Sequence, residues 1–185
     1  MRPAYTTLVI PAGSISSPYE AALGATFEAL PMEVRRAHLA PLVAAGTFDV
    51  EHGSHWFAPM LVRLLKLPGA GRARRVQLEV TAHRQELFWA RRIGDVFLRT
   101  RQRAVGSKIA ERSGLGTIVF DLTAQDGALV YQQSEFRVAG VPIPQLVAPV
   151  VRARVTAASG GWHVEVHVAW RGHLICRYAG LMAAA

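Results

Sequence analysis

The sequence predicts a mainly β (α+β) fold: a curved antiparallel meander closing into a barrel or half-barrel, with N-terminal helices packed on or in it. From about Arg74 to Leu181, short segments alternate apolar with polar residues, the period-two pattern of strands with one buried face. Glycine, aspartate or proline separates them, and Gln125-Asp126-Gly127 and Ser159-Gly160-Gly161 supply the positive φ of tight hairpin turns. About nine hairpin-linked strands follow one another. Such a sheet must bend, and closing it removes its exposed edges.

Residues 1–16 show no periodicity and are expected to form a tail or a short edge strand around Thr6 to Ile10. Ser17-Pro18-Tyr19-Glu20 is a capping box with proline at the first helical position. Tyr19, Ala22, Leu23, Phe27 and Leu30 follow at helical spacing, so a helix runs from about 18 to 30. Pro31 ends it, MEVRRAHLA starts a second, and after Gly46 comes a short strand, TFDVEH. Ser54 then caps a helix over about 55–67, begun at or just before Pro59. Trp56, Phe57, Met60, Leu61, Leu64 and Leu65 fall on one face. The favoured architecture wraps the barrel around this helix. The organisation is thus a single domain over 1–185, with a helical portion at 17–67 containing one short strand and a barrel portion at 72–182.

Composition excludes several classes. The chain has 185 residues, 51% of them hydrophobic and 18% charged, which suits one well-packed domain. The net charge of +8 is almost all arginine and is spread along the chain. In strands such as RTRQR the arginines alternate with small or polar residues, as on a solvated outer face, so nucleic acid is not expected as a partner. One cysteine, Cys176, permits no internal disulfide, and TTLVIPAG is too short for a secretory segment. A cytoplasmic protein without stable membrane insertion is expected, and a homodimer is allowed.

The run LPMEVRRAHLA, then GTFDVEHGSHWFAPMLVRLLKLPGAG, Trp89-x-Arg91-x-Ile93-Gly94-x-x-Phe97-x-Arg-Thr100, Glu111-x-x-Gly114, GVPIPQLVAP and Tyr178-x-Gly180-Leu181 resemble, in that order, the 4166 family of bacterial domains of unknown function. The likeness covers most of residues 20–182. It departs at Ile93, where the family has phenylalanine, and at Glu86, one residue further from Trp89 than the family spacing. The family resembled carries no assigned activity and sometimes accompanies an NAD-binding oxidoreductase-like module. This chain is expected to stand alone, which favours a dedicated role in a pathway.

Strand parity selects the candidate site. Trp89, Arg91 and Ile93 share one face and Ile109 shares another with Glu111. If the apolar members point inward, Arg91 and Glu111 do too, as a structural salt bridge or as a polar anchor in a greasy cavity. Tyr131, Gln133 and Glu135 form a second polar line, which is either interior, giving a phenol and a carboxylate for acid-base chemistry, or simply solvated. Trp162, Val164, Val166, Val168 and Trp170 make an apolar face, with His163, Glu165 and His167 opposite. The two histidines stand roughly 13 Å apart at the usual strand rise and cannot share a metal. His52 and His55 have no third ligand, Cys176 reads as a buried inert thiol, and Gly114-x-Gly116 lacks the following helix of a dinucleotide site. No metal and no cofactor are expected.

Two functional classes remain. One is a cofactor-independent enzyme of cyclase or isomerase type, acting on a bulky hydrophobic metabolite of a bacterial biosynthetic pathway. Arg91, Glu111, Tyr131 and Glu135 would be catalytic, and Trp56, Met60, Trp89, Trp162 and Tyr178 would bind substrate. The other is a non-catalytic carrier of a similar small molecule in a calycin- or lipocalin-like barrel. The balance leans to the enzyme.

Overall fold

A computed structural model describes residues 17–185, so the strand expected at Thr6 to Ile10 lies outside the described residues. Three short helices, α1 (Pro18–Leu23), α2 (Ala25–Glu28) and α3 (Met32–Arg36), precede β1 (Leu42–His52). Helix α4 (Ala58–Leu64) follows, then β2 (Gly71–His83), β3 (Glu86–Ile93), β4 (Val96–Val105), β5 (Lys108–Ser113), β6 (Gly116–Gln125) and β7 (Ala128–Val138). The two-residue β8 (Val141–Pro142), β9 (Val150–Ala158), β10 (Gly161–Trp170) and β11 (His173–Ala184) complete the chain.

Each strand of the meander pairs antiparallel with its neighbours, β7 skips β8 to pair with β9, and β1 pairs with β11 from Ala44↔Ala184 to His52↔Cys176. The result is a closed ten-stranded antiparallel barrel, with β8 a short hairpin on β7. Closure gives every barrel strand a partner on both sides. The strand expected as TFDVEH spans eleven residues and is the one that closes the ring. Its first half, Leu42-Val43-Ala44-Ala45, is apolar throughout and hides the alternation that burial makes plain. Apolar side chains fill the interior while arginines stud the outer wall, the reverse of a barrel whose outside faces lipid.

Strand direction sorts the connections into two ends. Turns at 84–85, 106–107, 126–127 and 159–160 share one end with the start of β1 and with α1–α3. Turns at 94–95, 114–115, 139–140 and 171–172 share the other with α4. At the first end the capping box forms as expected: Tyr19 N–H donates to Ser17 Oγ (3.3 Å) and Ser17 N–H to Glu20 Oε2 (2.7 Å). The predicted helix 18–30 is split, because Gly24 takes φ 54° and ends α1. That break turns Tyr19 and Phe27 into the core together.

The barrel does not wrap around helix 55–67. Helix α4 has seven residues, is preceded by Phe57 and not capped by Ser54, and packs on β11 and β1 at the second end. Phe57, Ala58 and Val62 are buried, whereas Trp56, Met60 and Leu64 face outward. What enters the barrel instead is Tyr19, wholly buried against β4 and β5.

Gly180 shows how tightly the ring is sewn. A Cβ there would lie 1.9 Å from the Thr47 carbonyl oxygen, and one on Gly46 would lie 2.0 Å from that of Leu181. Both strands must shift to admit a methyl group, so Gly180→Ala is expected to cost about 2 kcal/mol. In a thermal melt this lowers the midpoint by about 4–8 °C; an unchanged midpoint would show that the β1–β11 seam is slack.

Candidate functional site

Cross-strand register brings the inward-facing polar residues together. On β3, Leu87, Trp89 and Ile93 are buried, so Arg91 between them shares their face. Trp89 stands opposite Thr100, Arg91 opposite Leu98, and Gln102 opposite both Leu87 and Glu111. One interior surface therefore carries Trp89, Arg91, Thr100, Gln102 and Glu111.

A chain of hydrogen bonds joins these groups to the helical plug. Tyr131 OH donates to Tyr19 OH (3.1 Å), Tyr19 OH to Gln102 Oε1 (2.7 Å), and Gln102 Nε2 to Glu111 Oε2 (2.9 Å). Arg91 Nη1 reaches Glu111 Oε1 at 3.1 Å, and its guanidinium lies 4.7 Å from the centre of the Trp89 ring. Gln102 uses both ends of its amide, which fixes the amide's orientation.

Burial dominates the electrostatics. It raises the Tyr19 and Tyr131 phenols well above the ordinary range and pushes Tyr178 up to about 12, against the pull of Arg91 on Tyr178. It also lowers His38 to about 4, although the donation from His38 Nδ1–H to the Val34 carbonyl (2.6 Å) opposes that shift. Burial is the strongest single influence on Arg91 and disfavours its charge, but Glu111 together with Tyr178 and Tyr19 outweighs it and holds the guanidinium above its usual value. At neutral pH these phenols keep their protons and His38 is uncharged. Burial likewise pushes the Cys176 thiol up to about 12, leaving it inert.

Two buried polar atoms here have no partner: Trp89 Nε1 and Thr100 Oγ1, on the directly opposed pair. Their residues are 9% and 6% exposed. The neighbouring charged side chains retain 22% (Arg91) and 15% (Glu111) accessibility although they face inward. Leu98, Ile118, Val164 and Tyr178 are half-buried on the same inner surface. The inner wall thus keeps accessible surface beside a group of hydrogen-bond donors. An open cleft of about 660 Å³ outside the helices, lined by Phe27, Met32, Arg35 and Leu39 among others, contains none of these residues.

The structure gathers Arg91, Glu111, Trp89, Tyr131 and Tyr178 and leaves the other candidates elsewhere. A bulge between Val119 and Phe120 on the β6–β7 ladder makes Ser134 an extra residue. Beyond it the faces of β7 exchange, so Glu135 turns outward and is held by Arg137 through two bonds of 2.8 Å. Gln133 is spent on the backbone, accepting from Val151 N–H and donating to the Pro149 carbonyl. Trp56 is 82% and Met60 56% exposed on the outside of the α4 end, so neither lines the interior. Trp162 is core at the opposite end, paired with Met182. On the outer wall His167 bonds Glu165, as Arg177 does, and no cluster of metal-ligating side chains occurs among the described residues.

Sequence reasoning missed Tyr19, Thr100 and Gln102. A signal existed for the last two: in RTRQR the arginines take the outer face, which puts Thr100 and Gln102 on the inner one with Leu98.

Among the described residues, no helix is long and apolar enough to cross a membrane. Among solved structures, a secretary abundant heat soluble (SAHS) protein from Ramazzottius varieornatus, determined from a dimer sample, is similar in outline. Its TM-score is 0.44 and its identity 9%, over 79% of this chain and 95% of that one. No curated protein matches this chain. The family described as Domain of unknown function (DUF4166) matches residues 30–182, from just before α3 almost to the end of β11, and the chain belongs to that family.

Proposed function

We propose that the barrel binds a bulky apolar small molecule through a carbonyl or hydroxyl oxygen held at Trp89, Thr100 and Arg91. The observation that carries this reading is the pair of unpartnered buried polar atoms, Trp89 Nε1 and Thr100 Oγ1. A buried donor left unmade is costly, and a ligand acceptor would relieve both. Glu111 already neutralises Arg91, so a neutral acceptor suits the site better than a second carboxylate. The apolar inner wall would supply most of the affinity, the polar groups the orientation.

Trp89→Phe with Thr100→Val removes both polar atoms; valine keeps the shape of threonine, while phenylalanine gives up part of the indole, so the fold should lose about 1–2 kcal/mol and binding is compared on protein shown to be folded. Titration with prodan, an apolar naphthyl ketone whose emission reports polarity and hydrogen bonding, should show blue-shifted binding. The double variant should weaken it about tenfold or more, two neutral hydrogen bonds each contributing about 1 kcal/mol. Equal binding by the two proteins ends this reading.

The bonded series Tyr131–Tyr19–Gln102–Glu111 favours a second reading, a cofactor-independent cyclase or isomerase in which the phenols donate protons or hydrogen bonds. Carriage is the better fit, because the same burial that lines up the phenols keeps them from acting as bases near neutrality. Recovery of a bound compound chemically altered after incubation, and lost in Tyr19→Phe, would reverse that order.

A further inference from the structure

The two ends of the barrel differ in chemistry. Turns at the helical end carry the polar pairs Arg84-Gln85, Gly106-Ser107, Asp126-Gly127 and Ser159-Gly160, and the exposed apolar side chains there, Met32, Val43, Val105 and Leu181, lie off those tips on α3 and on the strands. At the α4 end, Trp56, Met60 and Leu64 present an outward apolar stripe, with exposures of 82%, 56% and 71%. Leu115 is exposed at the tip between β5 and β6, Phe97 just after the turn between β3 and β4, and Leu146 and Val147 on the connection to β9. The α4 segment and the connection to β9 are joined, while Phe97 and Leu115 stand on tips of their own. Phe57 packs edge-on against Trp170 at 4.7 Å, Trp170 Nε1 donates to the Val147 carbonyl (3.0 Å), and Arg171 Nε donates to that of Leu146 (3.4 Å).

Basic groups frame this apolar end. Arg92 and Arg99 lie 5.8 and 5.0 Å from the Phe97 ring centre, and Arg171 lies 4.8 Å from that of Trp170. Arg63 and Lys66 sit on and just after α4. The carboxylates at this end are fewer than its basic groups: Asp49 accepts from Ala73 N–H, Glu51 lies beside Arg177, Glu135 is held by Arg137, and Asp95 sits exposed in the turn between β3 and β4. The charge presented is therefore positive, in line with the net +8 of the chain.

Exposed aromatic and aliphatic tips ringed by arginine match the boundary between headgroups and acyl chains of a bilayer carrying negative lipid. A protein partner with an apolar acidic face is the less favoured occupant, since the apolar groups sit on several separate tips and make no groove. We propose that this end docks on the surface of an anionic bilayer, with Trp56 and Leu115 entering the interface and the arginines meeting headgroups. Arg91 and Glu111 lie a few residues from the turns of this same end, so docking would bring the interior site towards the lipid from which an apolar ligand partitions.

The test is co-sedimentation of the full chain with phosphatidylcholine vesicles and with mixed phosphatidylcholine–phosphatidylglycerol vesicles. Binding should be at least tenfold tighter to the mixed vesicles, weaken with added salt, and shift tryptophan emission to the blue in a way that Trp56→Phe abolishes. Trp56→Ser with Leu115→Ser, both exposed positions, should lose about tenfold in affinity with an unchanged melt. Equal binding to both vesicle types, no binding to either, undiminished binding by the serine variant, or a concentration-dependent dimer that ignores vesicles would each overturn the proposal. Trp89→Phe with Thr100→Val should bind vesicles as the wild type does, which separates failure here from failure of the interior site.

Discussion

Glu111→Leu should lower the thermal midpoint by about 6–12 °C, and adding Arg91→Met should restore much of the loss. Glu111 accepts from Arg91 on one oxygen and from Gln102 on the other. Leucine there strands a guanidinium and an amide inside the barrel. Breaking a buried pair by removing one partner costs about 3–5 kcal/mol, and the residual exposure of both side chains favours the lower end, about 3 kcal/mol. For a chain of this size each kcal/mol shifts the midpoint by about 2–4 °C. Arg91→Met alone leaves a carboxylate that Gln102 still serves, so it should cost less than Glu111→Leu. A double-mutant cycle by urea denaturation measures the coupling directly. If Glu111→Leu and the double variant prove equally unstable, the loss does not come from a stranded guanidinium and the two charges are not coupled in stability.

That the two charges meet was legible because it needs only strand parity: Trp89 and Ile109 are apolar, and Arg91 and Glu111 lie two residues along from them on the same faces. Closure of the sheet was legible only in part: a long hairpin meander must bend and gains by losing its edges, which left a barrel or a half-barrel, and the β1–β11 and β6–β7 pairings complete the ring. Parity fails where a strand gains a residue. Nothing in YQQSEFRV marks Ser134 as the extra one, so parity alone puts Glu135 on the face of Tyr131, whereas the bulge turns it to solvent.

Helix α4 misled in another way. Its segment is apolar on more than one side, so grouping Trp56, Phe57, Met60 and Leu64 on one face goes wrong although Pro59 already sets the start of the helix correctly. It begins at Ala58, with Pro59 in its first turn, so Phe57 turns in and Trp56 stays outside. Long-range hydrogen bonds lie beyond any periodicity. Helical spacing shows that Tyr19 faces a core, but not that its hydroxyl meets Gln102, 83 residues along the chain.

The helical plug should also make the protein acid-sensitive through one residue. His38 is 2% exposed, packs edge-on against Tyr19 at 4.6 Å, and donates from Nδ1 to the Val34 carbonyl, while the His38 carbonyl accepts from Ser17 Oγ. Its folded-state pKa falls to about 4 from the 6.5 of the free side chain. Between those values the unfolded chain takes up a proton that the folded chain refuses, so stability is full above about pH 6.5 and falls as pH drops towards about 4. At about 1.4 kcal/mol per pKa unit the whole loss is on the order of 3 kcal/mol. His38→Gln keeps a side-chain donor and cannot titrate in this range. The difference between wild type and variant in urea-derived stability should therefore shift by about 2 kcal/mol between about pH 7.5 and about pH 5, the wild type losing more. The other histidines contribute alike to both proteins and cancel. A difference that stays constant over that interval would mean that the imidazole takes up its proton in place, and that α1–α3 open to water without the barrel unfolding.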